Sequence, residues 1–191
     1  NDGTMATFIS HPDADGPYPV VLFLMDAPGK REELHDMARR ISATGYYVML
    51  PNLYYREVRS FTLHREDPAS AEYMFKLMSN LRNDMVARDA KSMIAYADAD
   101  VVADASRIGV TGYCMSGPFA LWLSAEFPDV IKSAASIHGV RLAVDAEDSP
   151  HSRAAEMVGE ILVMAAEYDD YVDRAHYDRL VAALDAVGTN A

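Results

Sequence analysis

Short apolar runs alternate along the chain with longer stretches in which apolar residues recur every three or four positions. The run from Pro19 to Met25 is apolar throughout, as expected for a strand buried on both faces of a sheet. Further strands are predicted over 46–50, 107–113, 133–137 and 161–164, and helices over about 31–43, 67–81, 83–97, 115–127 and 174–187. This alternation predicts an α/β fold: a doubly wound, mostly parallel sheet with helices on both faces.

Composition narrows the class of protein. The chain has 191 residues, 50% hydrophobic and 24% charged, which predicts a single globular domain over 1–191. Its net charge of −12 makes nucleic acid and anionic membranes unfavourable partners, because both require local positive charge. The single cysteine excludes an internal disulfide and a multi-cysteine zinc site, and it is typical of a reducing, cytoplasmic setting. No histidine pair has metal-binding spacing, so no metal is expected.

The segment most indicative of chemistry runs from Val110 to Gly117, where a predicted strand leads directly into a helix around Cys114. A nucleophile in a tight turn flanked by small residues is the pattern of a nucleophile elbow. The N-terminus of the helix is expected to favour the thiolate, and the backbone N–H of Met115 to face a developing oxyanion. A buried structural cysteine is the alternative, and a lone cysteine more often has that role. The surrounding turn favours the nucleophile.

A carboxylate follows the predicted strand over 161–164. Asp169 lies just past the end of that strand, where a hydrolase with this order of elements carries the acid that orients its catalytic histidine. Its spacing from the strand favours Asp169 over Asp170. A solvated acidic loop is the alternative interpretation in so acidic a protein.

A second carboxylate, Asp26, ends the first strong strand in the turn Asp-Ala-Pro-Gly. The carboxyl ends of parallel strands meet at one edge of a sheet, so Asp26, Cys114 and Asp169 are expected to converge there. The backbone N–H of Ala27 is then placed to be the second oxyanion donor. Alternatively, Asp26 only caps the helix that follows.

These motifs together resemble the dienelactone hydrolase family of the α/β-hydrolase superfamily. The resemblance rests on Gly-Tyr-Cys-Met-Ser-Gly, on the Asp-Ala-Pro-Gly turn, on the segment from Gly45 to Arg56 and on Glu-Tyr-Asp-Asp-Tyr-Val from Glu167. It implies an α/β-hydrolase fold, with Cys114 as the nucleophile and Asp169 as the triad acid, and a reaction that needs no cofactor. It also places Asp26 where the family has a glutamate that pairs with the resting thiol, although aspartate is shorter by one methylene.

The histidine of such a triad should follow the acid in the chain. Only His176 follows Asp169, and we interpret it as a surface residue of the last helix. His138 ends a strand at the active edge, where we predict that it lines a pocket without being the base. The sequence begins at Asn1 rather than Met and stops soon after a helix, so we expect a truncated chain that lacks its last strand and helix, with the histidine beyond Ala191.

The sequence therefore favours a hydrolase that cleaves small, dienelactone-like esters or lactones through a Cys-His-Asp triad, with a small molecule as its partner. A catalytically inactive α/β-hydrolase-fold module for binding or regulation is the alternative, supported by the absent histidine. A third, weaker hypothesis makes Cys114 a redox-sensing thiol. Substrate identity and oligomeric state are not predicted.

Overall fold

A computed structural model describes residues 2–14 and 16–188, so Asn1 and Ala191, the ends of the predicted domain, lie outside the described residues. The strands are β1 (Thr7–Ser10), β2 (Tyr18–Leu24), β3 (Tyr47–Pro51), β4 (Ala103–Tyr113), β5 (Ile131–Ile137) and β6 (Glu160–Met164). The α-helices are α1 (Glu32–Ser42), α2 (Pro68–Ser79), α3 (Asn83–Asp98), α4 (Gly117–Glu126) and α5 (Arg174–Ala186), with 3-10 helices over Cys114–Ser116 and Pro150–Glu156.

The strands form one mixed sheet in the order β1-β3-β2-β4-β5-β6. β1 is antiparallel to β3, and the other neighbouring pairs are parallel. The chain crosses in one direction through α1 and in the opposite direction through α2 and α3. Right-handed crossovers that run in opposite directions place their helices on opposite faces of the sheet. The prediction of a doubly wound, mostly parallel sheet with helices on both faces is confirmed.

The core lies around the central strands, where the apolar runs of the sequence are buried. Every residue of β3 is buried, and Phe23 and Leu24 at the end of β2, together with the next residue Met25, have no exposed surface. α4 packs on α3 and on the sheet and is buried along nearly its whole length, as a helix that is apolar on all sides must be. None of the described helices combines the length and the apolar character needed to cross a bilayer.

Two elements were not predicted, and one begins later than expected. β1 is a half-buried edge strand of four residues, and the 3-10 helix over Pro150–Glu156 has no clear periodicity. The helix predicted from residue 115 begins instead as the 3-10 turn Cys114–Ser116, and α-helical geometry starts at Gly117. Because a 3-10 turn is tighter than an α-helical turn, the chain changes direction sharply at the end of β4.

β6 is the last strand of the sheet, and in the described part of the chain it pairs with β5 only. The side chains of Leu162 and Met164 lie on the same face of this strand and are 53% and 52% exposed. One edge of the sheet therefore presents apolar side chains to solvent.

Candidate active site

Cys114 occupies the turn between β4 and α4 in a left-handed backbone conformation, with φ of 54°. A residue other than glycine adopts this conformation only where the surrounding structure imposes it. The neighbouring glycines show the crowding: a Cβ at Gly112 would overlap the carbonyl oxygen of Ser116, and one at Gly117 would lie 2.5 Å from Ser136 Oγ. The turn thus has the strained geometry and small neighbours of a nucleophile elbow.

Hydrogen bonds fix this turn to the strands on both sides. The Tyr113 N–H donates to Ser116 Oγ over 2.8 Å, and the Ser116 hydroxyl lies 3.1 Å from the carbonyl oxygen of Leu24 at the end of β2. On the other side, the Val140 N–H donates to the Cys114 carbonyl over 3.2 Å. The backbone that carries the thiol is therefore held by the end of β2 and by the loop that follows β5.

The environment of the Cys114 thiol raises its pKa. Burial is the largest cause, and the negative charges of Asp26 and Asp169 act in the same direction. A hydrogen bond from the Met115 N–H opposes them without outweighing them. The expected preference of the helix N-terminus for thiolate is therefore overcome, and the resting thiol is neutral at pH 7.

Asp26 is engaged by Arg31. The two guanidinium nitrogens Nη1 and Nη2 donate to its two carboxylate oxygens over 2.5 and 2.9 Å. No hydrogen bond joins Asp26 to Cys114 in the described structure, so the carboxylate affects the thiol only by the electrostatic effect of its negative charge. Arg31 is the N-cap residue of α1, and within the described residues the Asp26 carboxylate accepts hydrogen bonds from the Arg31 side chain and from no backbone N–H of this helix. A pairing of Asp26 with the resting thiol stays a prediction.

Tyr54 links the two residues whose backbone N–H groups are predicted to hold the oxyanion. Its hydroxyl donates to the Ala27 carbonyl over 2.8 Å and lies 3.2 Å from Met115 Sδ. The side chain is buried, and burial together with the charges of Asp26 and Cys114 raises its pKa above the usual range, so it stays a neutral donor. Sequence reasoning missed this residue as part of the site, although it lies in the matched segment from Gly45 to Arg56.

Asp169 and Asp170 differ in their surroundings. The Asp169 Oδ1 accepts a hydrogen bond from the Tyr171 N–H over 2.8 Å, which orients a half-buried carboxylate. Its charge raises the pKa of both Cys114 and Tyr177. Asp170 is exposed. The environment thus favours the same carboxylate as the spacing does.

The two histidines discussed above lie in unexpected settings. His138 is exposed, its N–H donates to the Met164 carbonyl over 2.7 Å, and its ring meets the Tyr113 ring edge-on. His176 is half-buried rather than a surface residue, because the first turn of α5 packs against the loop after β5. Its Nε2 accepts from the N–H groups of Leu142 and Ala143 over 2.8 and 3.3 Å.

A cavity of about 300 Å³ lies beside the elbow. Met115 and Phe119 are among the apolar residues that line it, and Arg82 and Arg141 are among the polar ones. His138 does not line this cavity, and its role in a pocket stays a prediction. Within residues 2–14 and 16–188, no cluster of three His, Cys, Asp or Glu side chains is arranged to hold a metal ion.

Known proteins share this architecture along nearly the whole chain. The sequence pattern of the Dienelactone hydrolase family matches residues 5–191. Proteins named "Putative carboxymethylenebutenolidase" from Methylorubrum extorquens and Escherichia coli K12 are each 28% identical, over 98% and 93% of this chain. The crystal structure named "Putative Dienelactone Hydrolase" from Klebsiella pneumoniae superposes with a TM-score of 0.84 at 25% identity, covering 98% of this chain and 77% of that one.

The chain spans 64% of the length of the Methylorubrum protein and 65% of that of the Escherichia coli protein. The fold of the Klebsiella structure agrees with that of this chain, and the predicted α/β-hydrolase fold is confirmed. The chain belongs to the dienelactone hydrolase family.

Proposed function

We propose that this protein hydrolyses small carboxylic esters or lactones, with Cys114 as the nucleophile. The observation that carries the proposal is the tight left-handed turn at Cys114, where Gly112 and Gly117 leave no room for a Cβ. Family membership supports the reaction class, and the name carboxymethylenebutenolidase, borne by the relatives, designates action on a butenolide, which is a lactone.

In the proposed reaction the thiolate attacks the substrate carbonyl carbon and forms a carbon–sulfur bond. The N–H groups of Met115 and Ala27 stabilise the oxyanion. Collapse of the tetrahedral intermediate breaks the ester carbon–oxygen bond, and the leaving alkoxide takes up a proton. Water then attacks the thioester, which releases the carboxylic acid and restores the thiol.

The raised pKa of Cys114 means that a base must remove its proton before attack. We assign this role to a histidine that Asp169 orients. In the family order of nucleophile, acid and histidine, that residue follows Asp169, and His176 already accepts two backbone hydrogen bonds at Nε2. The proposal therefore places the histidine beyond Ala191.

One observation favours the alternative of an inactive binding or regulatory module: no described histidine is hydrogen-bonded to Cys114 or Asp169. Acylation of the thiol distinguishes a hydrolase from an inactive module, because a nucleophilic Cys114 forms an acyl-enzyme even where its deacylation is slow.

The proposal is tested by incubating the purified protein with p-nitrophenyl acetate and following nitrophenolate release and intact mass. We expect one acetyl group per chain, on Cys114, and no adduct on Cys114→Ala. Since the chain has a single cysteine, no second thiol competes. Equal acetylation of Cys114→Ala would overturn the assignment of the nucleophile. Steady turnover by the full-length protein that depends on Cys114 would exclude the inactive module.

A further inference from the structure

The loop that follows β5 forms part of the wall of the cavity and also touches the elbow. The Val140 N–H donates to the Cys114 carbonyl, and Val140 and Arg141 both line the cavity. Arg141 is held in a left-handed conformation, with φ of 56°, which is costly for a residue with a long side chain. The loop therefore needs support from outside to keep this shape.

That support comes from the first turn of α5. His176 Nε2 accepts hydrogen bonds from the N–H groups of Leu142 and Ala143, the two residues after Arg141. The next residue, Tyr177, donates its hydroxyl to the Gly139 carbonyl over 3.4 Å. His176 is itself fixed, because its backbone N–H donates to the N-cap side chain of Asp173 over 2.9 Å.

Only an unprotonated ring nitrogen accepts a hydrogen bond, so the geometry requires neutral His176 with its proton on Nδ1. We propose that His176 is a pH-sensitive positioning residue: in its neutral form it holds the loop over 140–143, from which Val140 and Arg141 line the cavity, in the shape that binds substrate, and protonation at Nε2 releases that loop. This inference rests on the proposed function of the same site.

The surroundings of His176 favour the neutral form. Burial lowers its pKa, the positive charge of Arg179 and the neighbouring His151 act in the same direction, and the negative charge of Asp173 opposes them. Arg179 is in turn paired with Asp145 over 2.7 Å. Since the folded pKa lies below the unfolded value of about 6.5, the unfolded chain takes up the proton first. The two hydrogen bonds from the loop to His176 are present at neutral pH, and they are lost as pH falls through the pKa of His176 in the folded protein.

Two substitutions at His176 separate its ability to accept a hydrogen bond from its ability to be protonated. His176→Gln keeps an acceptor oxygen at a similar reach and cannot be protonated, whereas His176→Leu has no acceptor. Tyr177→Phe is the matched control, since it removes a neighbouring hydrogen bond to the same loop that does not titrate in this range.

The first readout is amide hydrogen exchange at Leu142 and Ala143, corrected for the intrinsic effect of pH. In the wild type we expect protection at pH 7.5 and about tenfold faster exchange once His176 is protonated, the factor that one hydrogen bond provides. His176→Gln should stay protected throughout, and His176→Leu should exchange fast at every pH. Wild-type protection that does not change with pH, or a protected His176→Leu, would overturn the proposal.

The second readout is the concentration of p-nitrophenyl butyrate that half-saturates acylation of Cys114. It should rise about tenfold on acidification in the wild type and in Tyr177→Phe, and stay constant in His176→Gln. A merely structural role would not give this difference in pH dependence. If Cys114 is not acylated at all, the proposed function fails while the exchange result still decides the role of His176.

Discussion

Arg31 binds both carboxylate oxygens of Asp26, in the turn that also carries the Ala27 N–H. The same guanidinium donates to the Gly29 carbonyl over 3.0 Å, so one side chain fixes both the carboxylate and the turn. Asp26 thus faces the thiol as a partly neutralised charge, which limits how far it raises the pKa of Cys114.

Replacing Arg31 with Ala should raise the pKa of Cys114 further, because the Asp26 charge loses its partner. The measurement is the rate of iodoacetamide alkylation as a function of pH, since only the thiolate reacts. Arg40→Ala is the control, because Arg40 is exposed on the same helix. A pKa that is unchanged or lower in Arg31→Ala would contradict this account.

Asp169→Asn and Asp170→Asn form a matched pair. The negative charge of Asp169 raises the pKa of Cys114, so its removal should lower that pKa and speed alkylation at neutral pH. Under the proposed mechanism the same change should lower turnover by about a hundredfold or more, since the proposed histidine loses its orienting acid. Asp170→Asn should leave both quantities unchanged; equal effects of the two variants would show that the assignment is wrong.

Tyr54→Phe removes the hydroxyl that binds the Ala27 carbonyl. We expect the free energy of unfolding to fall by about 1 kcal/mol, as for one buried hydrogen bond. Acylation of Cys114 should also slow, because the turn that carries the Ala27 N–H loses a contact. Chemical denaturation and the p-nitrophenyl acetate burst measure the two effects. Tyr168→Phe, at a side chain 87% exposed, should change neither.

Gly112→Ala and Gly45→Ala test two different demands on glycine. The added methyl at Gly112 overlaps the Ser116 carbonyl, so we expect a loss of about 3 kcal/mol or more in unfolding free energy. At Gly45 the space is open but φ is 102°, so only the cost of a left-handed residue applies, about 1–2 kcal/mol. Denaturant titration of both variants checks the order; a smaller loss at Gly112 would refute the steric argument.

The strands and helices of the central sheet were predictable because their apolar runs are local and strong. The tight turn at Cys114 was predictable for a similar reason, since Gly112 and Cys114 lie within a few residues of each other. Contacts between distant segments were not: His176 meets Leu142 across 34 residues. Nor does the sequence reveal that the Asp26 side chain turns toward Arg31, since spacing does not determine the direction of a side chain in a turn.

The exposed outer edge of β6 has a consequence for the solution behaviour of the purified protein. In the described part of the chain the outer edge of β6 has no strand partner, and Leu162 and Met164 are half-exposed, so this edge is a template for pairing with the same strand of another molecule. We expect concentrated samples of residues 1–191 to associate through this edge. Lysine at position 162 is the substitution of choice for keeping samples monodisperse, because a charged side chain on an edge strand opposes such pairing.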